Sequence, residues 1–256
     1  MPATACEVRV LAHSAAAPGI RLLTVAWPRA DKAPHAGQFF MLRCWPDTAA
    51  PLLSRPISVH RWDESTGALE FLYEVRGQGT RLLSALEPGD LLLLTGPSGN
   101  GFDAAAAAAA GKVAVVGGGI GTAPLYQLVR ELAAAGCRPD LYAGFRDEPY
   151  GLEKFSPLCR RVHLATDSGR AGYHGLVTGI FHPEEYDLVL CCGPEPMMKA
   201  VAAQCEAAGV KCLVSLEKKM ACGVGACLGC TCHTTGGAKS VCRHGPVFDA
   251  KEVFGR

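Results

Sequence analysis

Ala221-Cys222-Gly223-Val224-Gly225-Ala226-Cys227-Leu228-Gly229-Cys230 is the most informative stretch of the chain, and Cys242 follows it after eleven further residues. The spacing Cys-x4-Cys-x2-Cys with one later cysteine is typical of plant-type [2Fe–2S] centres, in which four thiolates hold two irons. Glycines suit such a loop because its backbone must bend closely and point N–H groups at anionic sulfurs. We therefore predict a [2Fe–2S] cluster on Cys222, Cys227, Cys230 and Cys242.

Other uses of these cysteines remain open. Structural zinc also takes four cysteines, usually as two separate Cys-x2-Cys pairs, and here only Cys227 and Cys230 form a full one. Disulfides would need an oxidising compartment, for which the sequence offers no sign. A Rieske centre using His233 and His244 would leave the first two cysteines of the stretch without a role. Cys232 is a spare thiol beside the loop, and we predict that it is not a ligand.

Length and composition limit the classes of protein to which the chain can belong. The chain has 256 residues, 49% of them hydrophobic, and a formal net charge of +1, so charge indicates neither nucleic acid nor an anionic membrane as a partner. The N-terminal sequence lacks the features of a signal peptide, and no apolar run approaches 18 residues. Thirteen cysteines then favour a reducing compartment. We expect a soluble, cytoplasmic protein.

The first part of the chain, residues 1–102, has short apolar runs separated by turn residues, a pattern that predicts an all-β barrel or sandwich. The clearest runs cover residues 20–27, 38–44, 57–61, 69–75 and 91–94. One helix is predicted over residues 80–86. Asp103 and the seven alanines after it break the pattern, and we interpret them as the connection between two domains.

Residues 103–211 alternate between strands and helices, which indicates a parallel sheet wound in βαβ units. Strands are predicted at 112–116, 140–145, 162–165 and 188–192, and helices at 123–135 and 195–208. From about Cys212 to the end, residues 212–256, the regular pattern gives way to the cysteine loop and a short tail. The expected organisation is therefore a β domain, an α/β domain and a cluster segment.

Two motifs in the β-rich part could hold a phosphorylated ligand. Arg55-Pro56-Ile57-Ser58 begins a strand, and an arginine can pair bidentately with phosphate. Gly77-Gln78-Gly79-Thr80 opens the predicted helix, where backbone N–H groups can face an anion. The alternative for each is an ordinary surface arginine before a turn and an ordinary glycine bend.

Two further motifs lie where α/β sheets bind nucleotides. Gly117-Gly118-Gly119-Ile120-Gly121-Thr122 follows a buried strand, although Thr122 stands where the dinucleotide fingerprint needs a glycine. Cys192-Gly193-Pro194 follows another strand, and its alternative is simply a helix begun by proline. Arg146-Asp147-Glu148 ends a third strand, and its acidic groups favour NAD over NADP while Arg146 argues the other way.

Five motifs follow one another along the chain in the order found in the ferredoxin–NADP reductase superfamily: Arg-Pro-Ile-Ser, Gly-Gln-Gly-Thr, the glycine loop from Gly117, Cys-Gly-Pro and the terminal Cys-x4-Cys-x2-Cys. They resemble most of all the electron-transfer subunits of class 1B dihydroorotate dehydrogenase. The resemblance covers essentially the whole chain. It implies a β-barrel FAD-binding domain, an α/β parallel-sheet NAD-binding domain and a C-terminal [2Fe–2S] segment.

The resemblance also implies which residues bind the cofactors. For FAD these are Arg55, Pro56, Ile57, Ser58, Leu72, Tyr73, Glu74, Gly79 and Thr80. For NAD+ they are Gly117, Gly118, Gly119, Gly121, Cys192, Gly193 and Pro194. Ile57 departs from the superfamily, which usually has an aromatic residue at that position.

The implied function is electron transfer in pyrimidine biosynthesis, from a partner's reduced FMN to the cluster, then to FAD and NAD+. The implied partner is an FMN-containing dihydroorotate dehydrogenase catalytic subunit, in a heterotetramer. Related reductase subunits of sulfide dehydrogenase or electron-bifurcating NADH:ferredoxin oxidoreductases are an alternative, but an aspartate is expected there at the position of Cys222. Subunits of anaerobic sulfite reductase or certain hydrogenases are a second alternative, and a non-enzymatic zinc-stabilised binding module is a third. Val247, Phe248, Val253 and Phe254 either contact the partner or pack on the chain's own core.

Overall fold

A computed structural model describes residues 4–255. Their first part is a curled antiparallel sheet of seven strands in the order β4-β3-β7-β1-β2-β6-β5. The strands are β1 (Thr4–Ala17), β2 (Ile20–Ala26), β3 (Phe39–Arg43), β4 (Arg55–Ser58), β5 (Arg61–Asp63), β6 (Ala68–Glu74) and β7 (Leu91–Ser98). The helix α1 (Gln78–Ser84) lies between β6 and β7. The predicted β-barrel is thus confirmed.

Alternating side chains build the core of this barrel. In β7, Leu92 and Leu94 are buried whereas Leu91 and Leu93 are exposed, as expected for a strand with one face on the core. Phe40 lies at the centre, with edge-to-face contacts to Trp27 and Phe71. Such aromatic pairs contribute beyond the area that they bury.

The predicted single strand over residues 57–61 is wrong, because the chain changes its pairing partner within it. The N–H of Val59 donates to Gln38 beside β3, while the N–H of His60 donates to Glu70 in β6. This segment therefore crosses from one edge of the curled sheet to the other, and β4 and β5 are separate strands.

The second sheet has the order β11-β10-β9-β8-β12-β13-β16, and only its last strand is antiparallel. Its strands are β8 (Val113–Gly118), β9 (Asp140–Phe145), β10 (Arg161–Thr166), β11 (Tyr173–His174), β12 (Leu188–Cys192), β13 (Lys211–Ser215) and β16 (Val247–Asp249). The helix α3 (Leu125–Ala134) packs on one face and α4 (Glu195–Ala207) on the other. Since the strand order reverses between β8 and β12, a crevice opens at their carboxyl ends.

The alanine run is a helix as well as a connection, which corrects the sequence-based interpretation. Residues Ala104–Ala109 form α2, and the carboxylate of Asp103 accepts a hydrogen bond from the N–H of Ala106 at 2.9 Å. That cap supplies a start signal, worth about 1 kcal/mol, which the short run would otherwise lack. Ala107 is buried in the core that α3 also joins.

Regular structure continues beyond Cys212, so the prediction that it ends there is wrong. β13 pairs with β12, and β16 pairs with β13. Between them lie the hairpin β14 (Thr231–Thr234) and β15 (Gly237–Ser240) and the short helix α5 (Val241–His244), and α6 (Ala250–Phe254) follows. The division into residues 1–102, 103–211 and 212–256 stays a prediction.

The apolar tail packs on the chain itself. Phe248 is 4% exposed and belongs to the core between the second sheet and α4, and Val253 and Phe254 pack against the same core. Val247 packs against the core on the opposite face. These side chains are therefore used within the fold. In residues 4–255, no helix combines the length and the apolar character that crossing a membrane requires.

Candidate functional site

A cleft of about 200 Å³ lies between the barrel and the carboxyl edge of the second sheet. Of the predicted cofactor-binding residues, those that line it are Pro56, Ile57, Ser58, Leu72, Tyr73, Glu74 and Cys192. The sequence analysis missed the rest of the lining, which comes from Phe39, Arg76, residues 120 and 123–124, residues 215–218, Met220 and Pro246. Residues 120 and 123–124 lie within or just after the glycine motif, whereas Phe39, residues 215–218, Met220 and Pro246 come from distant segments that no local pattern marks.

The side chains of the cleft differ in what they offer a ligand. Tyr73 is 2% exposed, and its hydroxyl lies 3.1 Å from His13 Nε2 inside the barrel, so its polar end is already used. Glu74 pairs with Arg76 at 2.6 Å at the rim. Burial raises the pKa of the Cys192 thiol, with Glu217 acting in the same direction, so this thiol stays protonated at neutral pH.

Arg55 lies beside the turn that opens α1 and outside the lining of the cleft. A Cβ atom at Gly79 would come within 2.4 Å of Arg55 Nε, so the guanidinium crosses the turn directly over this glycine. The Thr80 hydroxyl accepts from the N–H of Arg76 at 2.9 Å and of Gly77 at 3.1 Å. It is therefore occupied within the turn, and the unpaired N–H groups of the first helical turn remain for an anion.

The two glycine motifs of the second sheet form one site. Gly117 in β8 is the register partner of Cys192 in β12. A Cβ at Gly121 would lie 2.5 Å from Gly193 Cα, and a Cβ at Gly118 would lie 2.9 Å from Pro194 Cδ. Only glycines allow the loops to pack this closely at the carboxyl ends of the strands. The motifs that the sequence analysis treated separately thus face one ligand position.

The cysteine loop arranges its thiols in two pairs. The N–H of Cys227 donates to the sulfur of Cys222 at 3.4 Å, and the N–H of Cys242 donates to the sulfur of Cys230 at 3.4 Å. Within residues 4–255, no three His, Cys, Asp or Glu side chains converge as a site for one metal ion. Two thiols at each of two positions is the donor set that a binuclear cluster requires.

Backbone N–H groups surround these sulfurs. Gly225 N lies 3.1 Å from the sulfur of Cys242, and Cys242 N lies 3.4 Å from that of Cys230. Burial opposes ionisation of Cys222, but N–H donors from residues 224, 226 and 227 outweigh it and lower the pKa of its thiol to about 6. Burial, with the contact to Cys230, raises the pKa of Cys242 to about 12. The residues fit an anionic iron–sulfur group that is stabilised by N–H dipoles.

Two glycines hold the loop tightly in place. Gly223 has a φ of 69°, and a Cβ there would lie 2.5 Å from Met41 Cγ in β3. Gly225 has a φ of 83°, and a Cβ there would lie 2.9 Å from Arg243 Cδ in α5. The loop is thus fixed between the barrel and the helix that carries Cys242. Cys232 is separate, in β14, where burial raises the pKa of its thiol.

The cluster loop and the cleft share their walls. Met220 lines the cleft two residues before Cys222, and Pro246 lines it four residues after Cys242. The N–H of Leu216, another lining residue, donates to Pro246 O at 2.8 Å. Both segments that carry the cluster thiols therefore border the same cleft that the nucleotide loops border from the other side.

The chain is similar to known proteins over nearly its whole length. Residues 217–254 match the family model of the iron-sulfur cluster binding domain of dihydroorotate dehydrogenase B. A dihydroorotate dehydrogenase B (NAD(+)) electron transfer subunit from Clostridium acetobutylicum is 47% identical over 85% of this chain and 85% of its own. The subunit of the same name from Caldanaerobacter subterraneus subsp. tengcongensis is 42% identical over 97% and 98%.

Solved structures agree on the fold. The structure of an NADH-dependent reduced ferredoxin-NADP oxidoreductase superposes with a TM-score of 0.82 at 26% identity, over 96% of this chain and 89% of that chain. A ferredoxin NADP+ reductase from Neisseria gonorrhoeae superposes with a TM-score of 0.62 at 19% identity, over 80% and 92%. The second likeness is one of fold alone.

Proposed function

The chain belongs to the family of dihydroorotate dehydrogenase B electron transfer subunits, and from this we propose that it carries electrons between a dihydroorotate-oxidising catalytic subunit and NAD+. Its cofactors are FAD and a [2Fe–2S] cluster, and its partner is an FMN-containing catalytic subunit in a heterotetramer. The iron–sulfur name of the matching domain favours the cluster over zinc. The observation that carries the proposal is the cleft, whose walls include both cysteine-bearing segments and both nucleotide motifs.

Each set of residues has a distinct task in this proposal. Arg55 and the N–H groups at Gly79 and Thr80 bind the pyrophosphate of FAD, and the strand around Pro56, Ile57 and Ser58 holds the flavin. Leu72, Tyr73 and Glu74 form the wall opposite. Bound there, a flavin can exchange two electrons with a nicotinamide and single electrons with an iron–sulfur cluster.

The nucleotide loops bind and orient NAD+ at the other side of the cleft. Gly117, Gly118 and Gly121 let the strand ends and loops pack closely, and Gly119, with no other atom within 4 Å of its Cβ position, leaves the backbone bare where a pyrophosphate can approach. Cys192, Gly193 and Pro194 form the facing wall. Because both loops lie at the reversal of strand order, the ligand would lie across the two halves of the sheet.

The cysteines Cys222, Cys227, Cys230 and Cys242 hold the cluster beside the protein surface. Val224 and Leu228, between these cysteines, are 49% and 65% exposed. Exposed apolar side chains on an otherwise rigid loop are suited to a protein interface. This loop, instead of the apolar tail, is the surface that we assign to the catalytic subunit.

Two further assignments belong to this proposal. Asp147 and Glu148 favour NAD+ over NADP+, because their carboxylates would repel a 2′-phosphate. Glu148 lies 3.7 Å from Arg170, which balances part of its charge. A higher kcat/KM for NADPH than for NADH in a diaphorase assay would contradict this preference. None of the thirteen cysteines is paired in a disulfide, which suits the cytoplasm.

The test combines the chain with its catalytic subunit and follows NAD+ reduction by dihydroorotate. NADH should form only when both subunits are present. The Cys227→Ser chain, assayed in excess FAD so that its flavin site stays filled, should lose the activity and the EPR signal of the reduced cluster. The control Cys232→Ser should keep both. Equal NADH formation by Cys227→Ser, with both flavins retained and the cluster gone, would show that the cluster is not part of the electron path.

A further inference from the structure

Trp45 lies between two arginines. The Arg43 guanidinium carbon is 5.6 Å from the centre of the Trp45 ring, and that of Arg55 is 5.7 Å from it. Both distances are within the range of a cation–π contact. The ring is only 7% exposed, so these contacts are largely removed from water. Two cations therefore share one aromatic residue, and one of them is the proposed phosphate-binding arginine.

The tryptophan is held in place by the loop that follows β3. Its indole N–H donates to Pro51 O at 2.6 Å. Arg43, which is 8% exposed, donates to Trp45 O at 3.0 Å and to Pro46 O at 2.8 Å. A third donor of Arg43 reaches Leu52 O at 2.7 Å. The loop is thus organised around Arg43, and the ring is a rigid surface.

Arg55 is held by this surface without using the donors that a phosphate needs. One nitrogen, Nη1, donates to Leu53 O at 2.5 Å. The other two nitrogens, Nε and Nη2, lie over Gly79, where a Cβ would meet them at 2.4 and 2.9 Å. A cation–π contact consumes no N–H donor, so these nitrogens stay available. An unsupported arginine would instead lose its rotamer freedom when it binds.

We propose that Trp45 is a positioning residue for the flavin nucleotide: it fixes the Arg55 guanidinium over the Gly79 turn in the geometry that binds a pyrophosphate. This inference rests on the proposed assignment of Arg55 to FAD. Trp45 itself does not line the cleft and acts only through the arginine. The contribution of the tryptophan to flavin binding should therefore disappear when Arg55 is absent.

The test is a double-mutant cycle on the rate at which the complete protein releases FAD, followed by the fluorescence of free flavin. Trp45→Leu should speed release by roughly 2- to 30-fold, the range that a cation–π contact supports. Trp45→Phe, which keeps an aromatic face, should have a smaller effect. In the Arg55→Ala background, Trp45→Leu should change the rate less than twofold. The matched control is Trp62→Leu, since Trp62 is also 7% exposed in the barrel and should leave the rate unchanged.

The possible results distinguish the assignment of Arg55 to FAD from the positioning role of Trp45. Faster release in Arg55→Ala supports the assignment of Arg55, whatever Trp45 does. Equal acceleration by Trp45→Leu with and without Arg55, or equal acceleration by Trp62→Leu, would overturn the positioning role and leave that assignment intact. No change in Arg55→Ala would overturn both.

Discussion

Lowering the pH should destabilise this protein through His60, which lies between the barrel and α3. Its Nδ1–H donates to Ala123 O at 2.7 Å, and its ring stacks on Tyr126 with 5.0 Å between centres. The side chain is 4% exposed. Burial lowers its pKa to about 4; Lys154 and Arg61 act in the same direction, and the bond to Ala123 and the charge of Glu70 oppose it. The imidazole is therefore neutral in the folded state.

The sign and size of the effect follow from this shift. The pKa of an unfolded histidine is near 6.5, whereas that of His60 in the folded protein is about 4. The contribution of His60 to the free energy of unfolding is therefore complete above pH 6.5 and decreases as the pH falls from there to about 4. Between pH 7 and pH 5, the linkage relation gives a loss of about 2 kcal/mol from this one group. Other titrating groups add their own contributions.

The measurement isolates His60 by substitution. In His60→Gln the amide can still donate to Ala123 O but does not titrate. Urea unfolding at pH 7 and pH 5 should show that this variant loses about 2 kcal/mol less than the wild type between the two conditions. His182→Gln, at an exposed position, should follow the wild type. Parallel losses in wild type and His60→Gln would refute the argument.

Further predictions concern the nucleotide loop and the partner surface. Gly121→Ala places a Cβ 2.5 Å from a backbone atom of the facing loop, so the KM for NADH should rise at least about tenfold. Gly236→Ala, whose Cβ would have its nearest neighbour at 3.8 Å, should leave the KM unchanged. Leu228→Asn should weaken association with the catalytic subunit by about 1–2 kcal/mol in a binding titration. The control Leu176→Asn should not weaken this association, although Leu176 is as exposed as Leu228, at 66% against 65%. Equal effects of the two substitutions would contradict the assigned surface.

The sequence predicts best where one local rule decides the structure. The strands at 140–145 and 188–192 have the bounds predicted for them, because buried parallel strands are continuous apolar runs between turn signals. The cysteine spacing likewise identifies the cluster loop. It does not show that the loop borders the cleft, since Met220 and Pro246 meet only through tertiary packing.

Most of the misses share one physical cause, which is pairing between distant segments; the alanine helix, which depends on its local Asp103 cap, is the exception. β16 has only three residues and exists because β13 offers it a free edge. The chain at His60 leaves its strand because the two edges of the barrel compete for the backbone hydrogen bonds. Trp45 appears in the sequence as an ordinary buried aromatic residue, and nothing nearby marks its contact with Arg55. Such features depend on the closed fold and not on periodicity.

The shared walls of the cleft have a consequence for how the protein matures. A newly synthesised chain must acquire two groups whose binding segments are joined through Met220 and Pro246. The group that binds first orders a wall that the second group also contacts. Binding of the second group then causes a smaller loss of conformational entropy. By reciprocity, depletion of either group should loosen the other to the same degree. Iron limitation should thus yield chains that also shed flavin, and flavin limitation chains that also shed iron.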